Sequence, residues 1–136
     1  MTFEEKYREL ESYMELKDEL LCLQVERDEL RDLKRLSNDM GVPPKGGGVS
    51  DPTGNAAVHL AESIEDVECL IQDVRYRMNN VVRAINASED ITQRDKLILM
   101  LKFVRGASNG VIAEKMGLPS RSAVQKRVRR IVQRMA

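Results

Sequence analysis

The sequence predicts an all-α protein: a long antiparallel helical hairpin, coiled-coil-like, followed by a three-helix domain of helix-turn-helix form. Three observations carry that expectation. Apolar residues recur at spacings of three and four on either side of one glycine- and proline-rich break at 41–55. The apolar share is 42%, yet Trp is absent and aromatics make up 4%, so the core must be built from Leu, Ile, Val and Met, which suits packed helices better than a sheet sandwich. The formal net charge of zero conceals a division: residues 1–90 hold 11 Lys+Arg against 20 Asp+Glu, and residues 91–136 hold 11 against 2. A neutral chain with one strongly basic end implies that this end meets a polyanion. The expected organisation is therefore an acidic hairpin over 1–88 and a basic domain over 89–136.

Thr2-Phe3-Glu4-Glu5 opens the chain as a capping box, in which the Thr2 hydroxyl accepts the Glu5 amide and the Glu5 side chain reaches back. From there to about Asn38 no Gly or Pro interrupts, and Leu, Glu, Lys and Arg dominate, so a first helix follows. Leu16, Leu23 and Leu30 fall seven apart, with Tyr13 and Leu20 on the intervening core position. Arg27 and Lys34 then take that position, which leaves a seam able to pack on one partner but no strong zipper.

Residues 41–55 hold five of the eight glycines and three of the four prolines, a composition that ends the helix and makes a hinge or mobile loop. It lacks the Lys-Ser/Thr ending and the preceding strand of a phosphate-binding P-loop. The second helix runs from near Asn55 to about Asn86. Ile64, Val67, Ile71, Val74, Met78, Val81 and Ile85 are spaced 3-4-3-4-3-4 without a fault, the mark of a helix-on-helix seam. The loop lets this helix fold back on the first, and the hairpin so formed could pair with a second copy as a homodimer.

Ala87 to Ile91 read as a short polar connector. Thr92-Gln93-Arg94-Asp95 is a second capping arrangement and starts a third helix ending at Gly106, with Leu97, Leu101 and Val104 inward and Ile98 and Phe103 flanking. Ser108 caps a fourth helix, where Val111, Ile112 and Met116 face inward and Ala113 allows a close helix crossing. Gly117 supplies the left-handed residue that ends it, and Ser120 caps a fifth, the recognition helix, over about 120–135.

On that last helix Val124, Val128, Ile131 and Met135 form the buried stripe. The opposite face carries Ser122, Lys126, Arg129 and Gln133, with Arg121, Gln125 and Arg130 at its edges. In a helix-turn-helix the first turns of the second helix reach base edges in the major groove. Arg121, Ser122, Gln125, Lys126 and Arg129 are accordingly the candidates for base readout, since Arg or Lys suits guanine and Gln suits adenine. Lys115, Arg127, Arg130 and Arg134 are the candidates for phosphate contact.

The segment LKFVRGASNGVIAEKMGL resembles region four of bacterial sigma factors, whose pattern is roughly L-x-x-x-x-G-x-S-x-x-x-I-A-x-x-L-G. Leu101, Gly106, Ser108, Ile112, Ala113, Met116 and Gly117 match it in order. Over nearly its whole length the chain is similar to the small sigma-region-four-like regulators of phages and prophages of Gram-positive bacteria, the ArpU and RinA type. These have a charged leading helix, a Gly-rich loop ending in S-D-x-x-G-N (here Ser50 to Asn55), a second long helix and a helix-turn-helix. The resemblance implies sequence-specific control of phage late genes, with double-stranded DNA as partner and RNA polymerase as a possible second one. Two departures stand out. Sigma-like domains usually carry an acidic residue where Gly110 stands, and glycine costs about 1 kcal/mol of helix stability. The turn is also one residue longer, which leaves the base-contacting register open by one position.

Two functions of other classes remain at this point: the small subunit of a phage terminase, which recognises DNA for packaging, and a structural coiled-coil interaction protein. An enzyme is not expected. There is one His (His59), no Cys-His or Ser-His setting, and the carboxylates lie on solvated helical faces. Cys22 and Cys69 lack metal-ligand spacing and read as free thiols of a reducing compartment; neither metal nor cofactor is expected. No apolar run approaches the roughly 18 residues of a membrane span, and the acidic start is no signal peptide. A cytoplasmic protein without a membrane partner is the expectation.

Overall fold

The structure is a computed structural model that describes the backbone of residues 1–39 and 52–136 and the side chains of 1–36 and 58–136. Its described residues form five helices and no strand: α1 (Phe3–Asp39), α2 (Pro52–Ala87), α3 (Gln93–Leu99), α4 (Asn109–Met116) and α5 (Arg121–Met135). A π-helical turn, Met100–Val104, continues α3. The expected glycine-rich loop falls largely on 40–51, outside the described residues. Its last residues, 52–55, belong to α2 instead. Pro52 sits at the first helical position, where a missing N–H costs nothing, so the helix starts before Asn55.

The expected capping box at the start of α1 is present: the Glu5 amide donates to Thr2 Oγ1 (3.2 Å) and the Thr2 amide to Glu5 Oε2 (3.1 Å). The fault-free stripe of α2 is buried from Val67 through Ile71, Val74, Met78 and Val81 to Ile85, with Ile64 half-buried. Against it, α1 offers Tyr13, Leu16, Leu20, Leu23, Arg27 and Leu30, all half-buried, and only Leu10 fully so. The two helices pack as a helical hairpin. No described helix is long and apolar enough to cross a membrane.

By packing, the described residues form two compact units, residues 1–17 with 76–136 and residues 18–75. The division passes through α1 and α2 rather than at residue 88, where the composition changes. The second unit consists of the remaining lengths of α1 and α2, joined in part by an ion pair between Arg31 and Glu68.

The first unit draws one core from every element: Leu10 of α1, Val81 and Ile85 of α2, Ile98 and Leu99 of α3, Leu101 and Phe103 of the π-turn, Ile112 and Ala113 of α4, and Val124, Val128, Ile131 and Val132 of α5. Ile91, expected in a polar connector, is 7% exposed and belongs to this core. The start of α1 is held by ring contacts. Phe3 and Tyr7 lie 5.7 Å apart, and Tyr7 meets Phe103 edge-on at 5.4 Å, the arrangement that aromatic quadrupoles favour.

Two inward faces differ from expectation. Leu97 is 47% exposed and Val104 half-buried, whereas Ile98, Leu99, Leu101 and Phe103 are buried. Asp95 is itself buried, and Ile98 and Leu99 lie three and four residues on, along the same face. A π-turn follows, with the Arg105 amide bonded to the Met100 carbonyl at 2.9 Å, and Phe103, four residues beyond Leu99, is buried on the same side. In α4, Val111 is 41% exposed although it was expected inside. In so short a helix Ile112 and Ala113 take the inner face, with Met116 half-buried.

Candidate nucleic-acid interface

The candidate site is α4, the connection 117–120 and α5. Ser108 Oγ accepts the Val111 amide (3.3 Å) and Ser120 Oγ the Ala123 amide (3.1 Å), so each helix start has the side-chain acceptor its unpaired N–H groups require. Between them Gly117 adopts φ 68°, a conformation that costs a residue with a Cβ about 1–2 kcal/mol. The Leu118 amide then returns to the Ala113 carbonyl at 2.8 Å, the Schellman closure. The expectations at Ser108, Gly117 and Ser120 agree with the structure, and Ala113 is buried in the core.

α5 buries Val124, Val128, Ile131 and Val132, leaves Met135 half-buried, and exposes Arg121, Ser122, Gln125, Lys126, Arg129, Arg130, Gln133 and Arg134. Lys115, on the last turn of α4, is exposed as well. The structure therefore places all five readout candidates and three of the four phosphate candidates on the surface. It also divides them, because three arginines have internal neighbours.

Arg127 is the clearest case. Its Nε and Nη2 donate to Asp95 Oδ1 at 3.2 and 3.0 Å, and Asp95 is 1% exposed. Burial alone would push that carboxyl up. The Arg127 guanidinium and the Thr92 amide and hydroxyl outweigh it and hold Asp95 below its ordinary value. A buried carboxylate without this partner would be strongly destabilising, so Arg127 has a structural role in the fold.

Arg129 lies with its guanidinium carbon 5.9 Å from the centre of the Phe3 ring, a cation–π placement on the edge of α5 that faces the start of α1. Beside it, burial and Glu11 push the Tyr7 hydroxyl up, and Arg129 pulls it back only in part. Arg121 lies along α4, where a Cβ built on Gly110 would sit 3.1 Å from Arg121 Nε. A Cβ at Gly110 would require the Arg121 side chain to give way by a few tenths of an ångström.

What remains on the outward face is Ser122, Gln125, Lys126, Arg130, Gln133 and Arg134. Among the described residues no carboxylate lies within ion-pair distance of Lys126, Arg130 or Arg134, nor of Lys115. A run of unpaired cations on one exposed helical face raises the local potential and suits a ligand with regularly spaced negative charge.

Sequence reasoning missed two residues that position this face. Asp95 was legible as a cap, but nothing local indicated Arg127, 32 residues away, as its partner. Arg94 donates to the Met116 carbonyl at the end of α4, a long-range cap with no sequence signal. Among the described residues no group of three or more His, Cys, Asp or Glu could hold a metal ion. No family model, curated protein or solved structure matches the chain.

Proposed function

We propose that residues 89–136 work as a helix-turn-helix of sigma-region-four type, with α5 as the recognition helix in the major groove of DNA, and that the chain is a sequence-specific transcriptional regulator. The observation that carries this reading is the outward face of α5, whose cations have no carboxylate partner among the described residues while the neighbouring arginines are tied to Asp95 and Phe3. Ser122, Gln125 and Lys126 on the first turns are the base readers in this reading, and Lys115, Arg130 and Arg134 hold phosphates. Arg121 and Arg129 position the helix from its edges. Control of phage or prophage late genes is what the sequence resemblance adds.

The test is a titration of the full chain against double-stranded DNA over a range of salt. Release of counterions by about three phosphate contacts should give a slope of log affinity against log salt near −3. Lys126→Ala should relax sequence preference at a cost of about 1–3 kcal/mol. Arg134→Ala should weaken binding to all sequences alike and flatten the slope by about one. No affinity for DNA at low salt would end this reading.

A further inference from the structure

Between residues 18 and 36, α1 turns away from α2 a face that combines apolar and acidic side chains. Leu21, Val25, Leu33 and Leu36 are each more than half exposed, at 53%, 56%, 53% and 57%. At about 100° per residue they fall on the half of the helix opposite Leu20, Leu23 and Leu30, the half-buried seam that meets α2. The other residues on that outer half are Cys22 and the carboxylates Asp18, Glu26, Asp28, Glu29 and Asp32, all exposed. Among the described residues it holds no cation: Arg27, Arg31 and Lys34 lie on the α2 side, where Arg31 is bound to Glu68, and Arg35 lies just outside it. We propose that this face docks a basic amphipathic helix of a partner protein.

Charge, and its order along the face, specify that partner. Leu21 and Val25 form one apolar end, Glu26, Glu29 and Asp32 occupy the middle turns, and Leu33 and Leu36 form the other end, over about 22 Å of helix. The complement is a helix of about four turns with apolar residues at both ends of one stripe and Lys or Arg between them. Among the described residues no cation lies within ion-pair distance of Asp18, Glu26, Glu29 or Asp32. Glu26 and Glu29, Glu29 and Asp32, and Asp28 and Asp32 are three or four residues apart, where like charges on a helix repel. A cationic partner relieves that repulsion as it covers the leucines. A second copy presenting the same face would set carboxylate against carboxylate, and DNA or an anionic lipid surface would be repelled. An added strand has nothing to pair with, because the backbone of α1 is hydrogen-bonded within the helix. The outward face of α5 in another copy offers cations but no large apolar side chain. The proposal does not rest on the DNA-binding reading, since none of the docking residues belongs to α4 or α5.

The experiment uses the full chain. The probe is a synthetic alanine-based helix of about 18 residues, with leucine at both ends of one stripe and lysine between, followed by fluorescence anisotropy. The wild type should bind it at least about tenfold tighter than a scrambled peptide of the same composition. Glu29→Lys with Asp32→Lys should abolish that preference and should instead bind the peptide in which glutamate replaces lysine, a gain that a misfolded variant cannot produce. Glu62→Lys with Glu65→Lys, the same reversal on the exposed surface of α2, should leave binding of the lysine peptide unchanged. Equal binding of the scrambled peptide, or undiminished binding of the lysine peptide by the Glu29→Lys, Asp32→Lys variant, would overturn the proposal. So would a dimer in sedimentation that Leu21→Glu with Leu33→Glu dissociates, since the face would then belong to a second copy.

Discussion

The two compact units contain the same kind of side chain and bury it to different degrees. In residues 1–17 with 76–136, five helices and a π-turn converge, and Leu10, Ile85, Ile98, Leu99, Ile112, Val124 and Val132 are all inaccessible to solvent. In residues 18–75 only two helices meet. One side of the seam, Val67, Ile71 and Val74, is buried, while Leu20, Leu23 and Leu30 opposite stay half-open. Charge divides the same way: the first unit holds 16 Lys+Arg against 9 Asp+Glu, and the second 6 against 13. Geometry rather than composition explains the difference in burial. Two cylinders touch along a line, and a closed core needs side chains arriving from several directions.

The comparison can be tested by substitution. The largest expected effect is Leu99→Ala, which should cost about 2–5 kcal/mol because the closed core around it cannot collapse into the cavity. Leu33→Ala, the same change at an exposed site, should stay within about 0.5 kcal/mol. Urea midpoints of the two variants measure the contrast directly, and equal losses would erase it.

Next comes the pair of ion pairs. Asp95→Ala leaves Arg127 half-buried without its acceptor and Thr92 without half its capping box, for an expected loss of about 2–3 kcal/mol. Asp95 is held below its ordinary value of 3.8 in the folded chain. Its contribution is therefore complete above that value and is lost as pH falls through the lower folded-state value. The stability gap between the wild type and Asp95→Asn should narrow accordingly below pH 3.8, and a gap that does not depend on pH would refute the pairing.

The smallest expected effect is at Arg31 and Glu68, whose side chains are 52% and 43% exposed. Arg31→Ala should cost no more than about 0.5 kcal/mol, since water screens both partners and ordering them opposes the gain. Thermal melts at low and high salt would detect anything larger.

Much of the fold was legible because its signals are local. The stripe of α2 obeys one period throughout, and the caps at Thr2, Thr92, Ser108 and Ser120 each need only a hydroxyl and an amide three residues on. The inward face of α3 was not legible, because Ile98 and Leu99 are buried in a core whose other members come from elements distant in sequence. Leu10 and Ile91 were missed for a related reason: each is buried by elements distant in sequence. In the candidate site the positions of Ser122, Gln125 and Lys126 on the surface followed from helical periodicity alone. The separate placements of Arg121, Arg127 and Arg129 depended on Gly110, Asp95 and Phe3, which no spacing rule connects to α5.

Five consecutive residues, Thr92 to Lys96, tie together four helices. Thr92 and Asp95 begin α3, Arg94 holds the end of α4, Asp95 holds Arg127 of α5, and Lys96 donates to the Asn86 carbonyl at the end of α2 (2.9 Å). Helix ends elsewhere fray independently and at little cost. Here the last turn of α2, the last turn of α4 and the middle of α5 are each held by a different side chain of the same short segment. The foot of the long helix and the helix that carries the cations are thereby anchored within a single turn of chain.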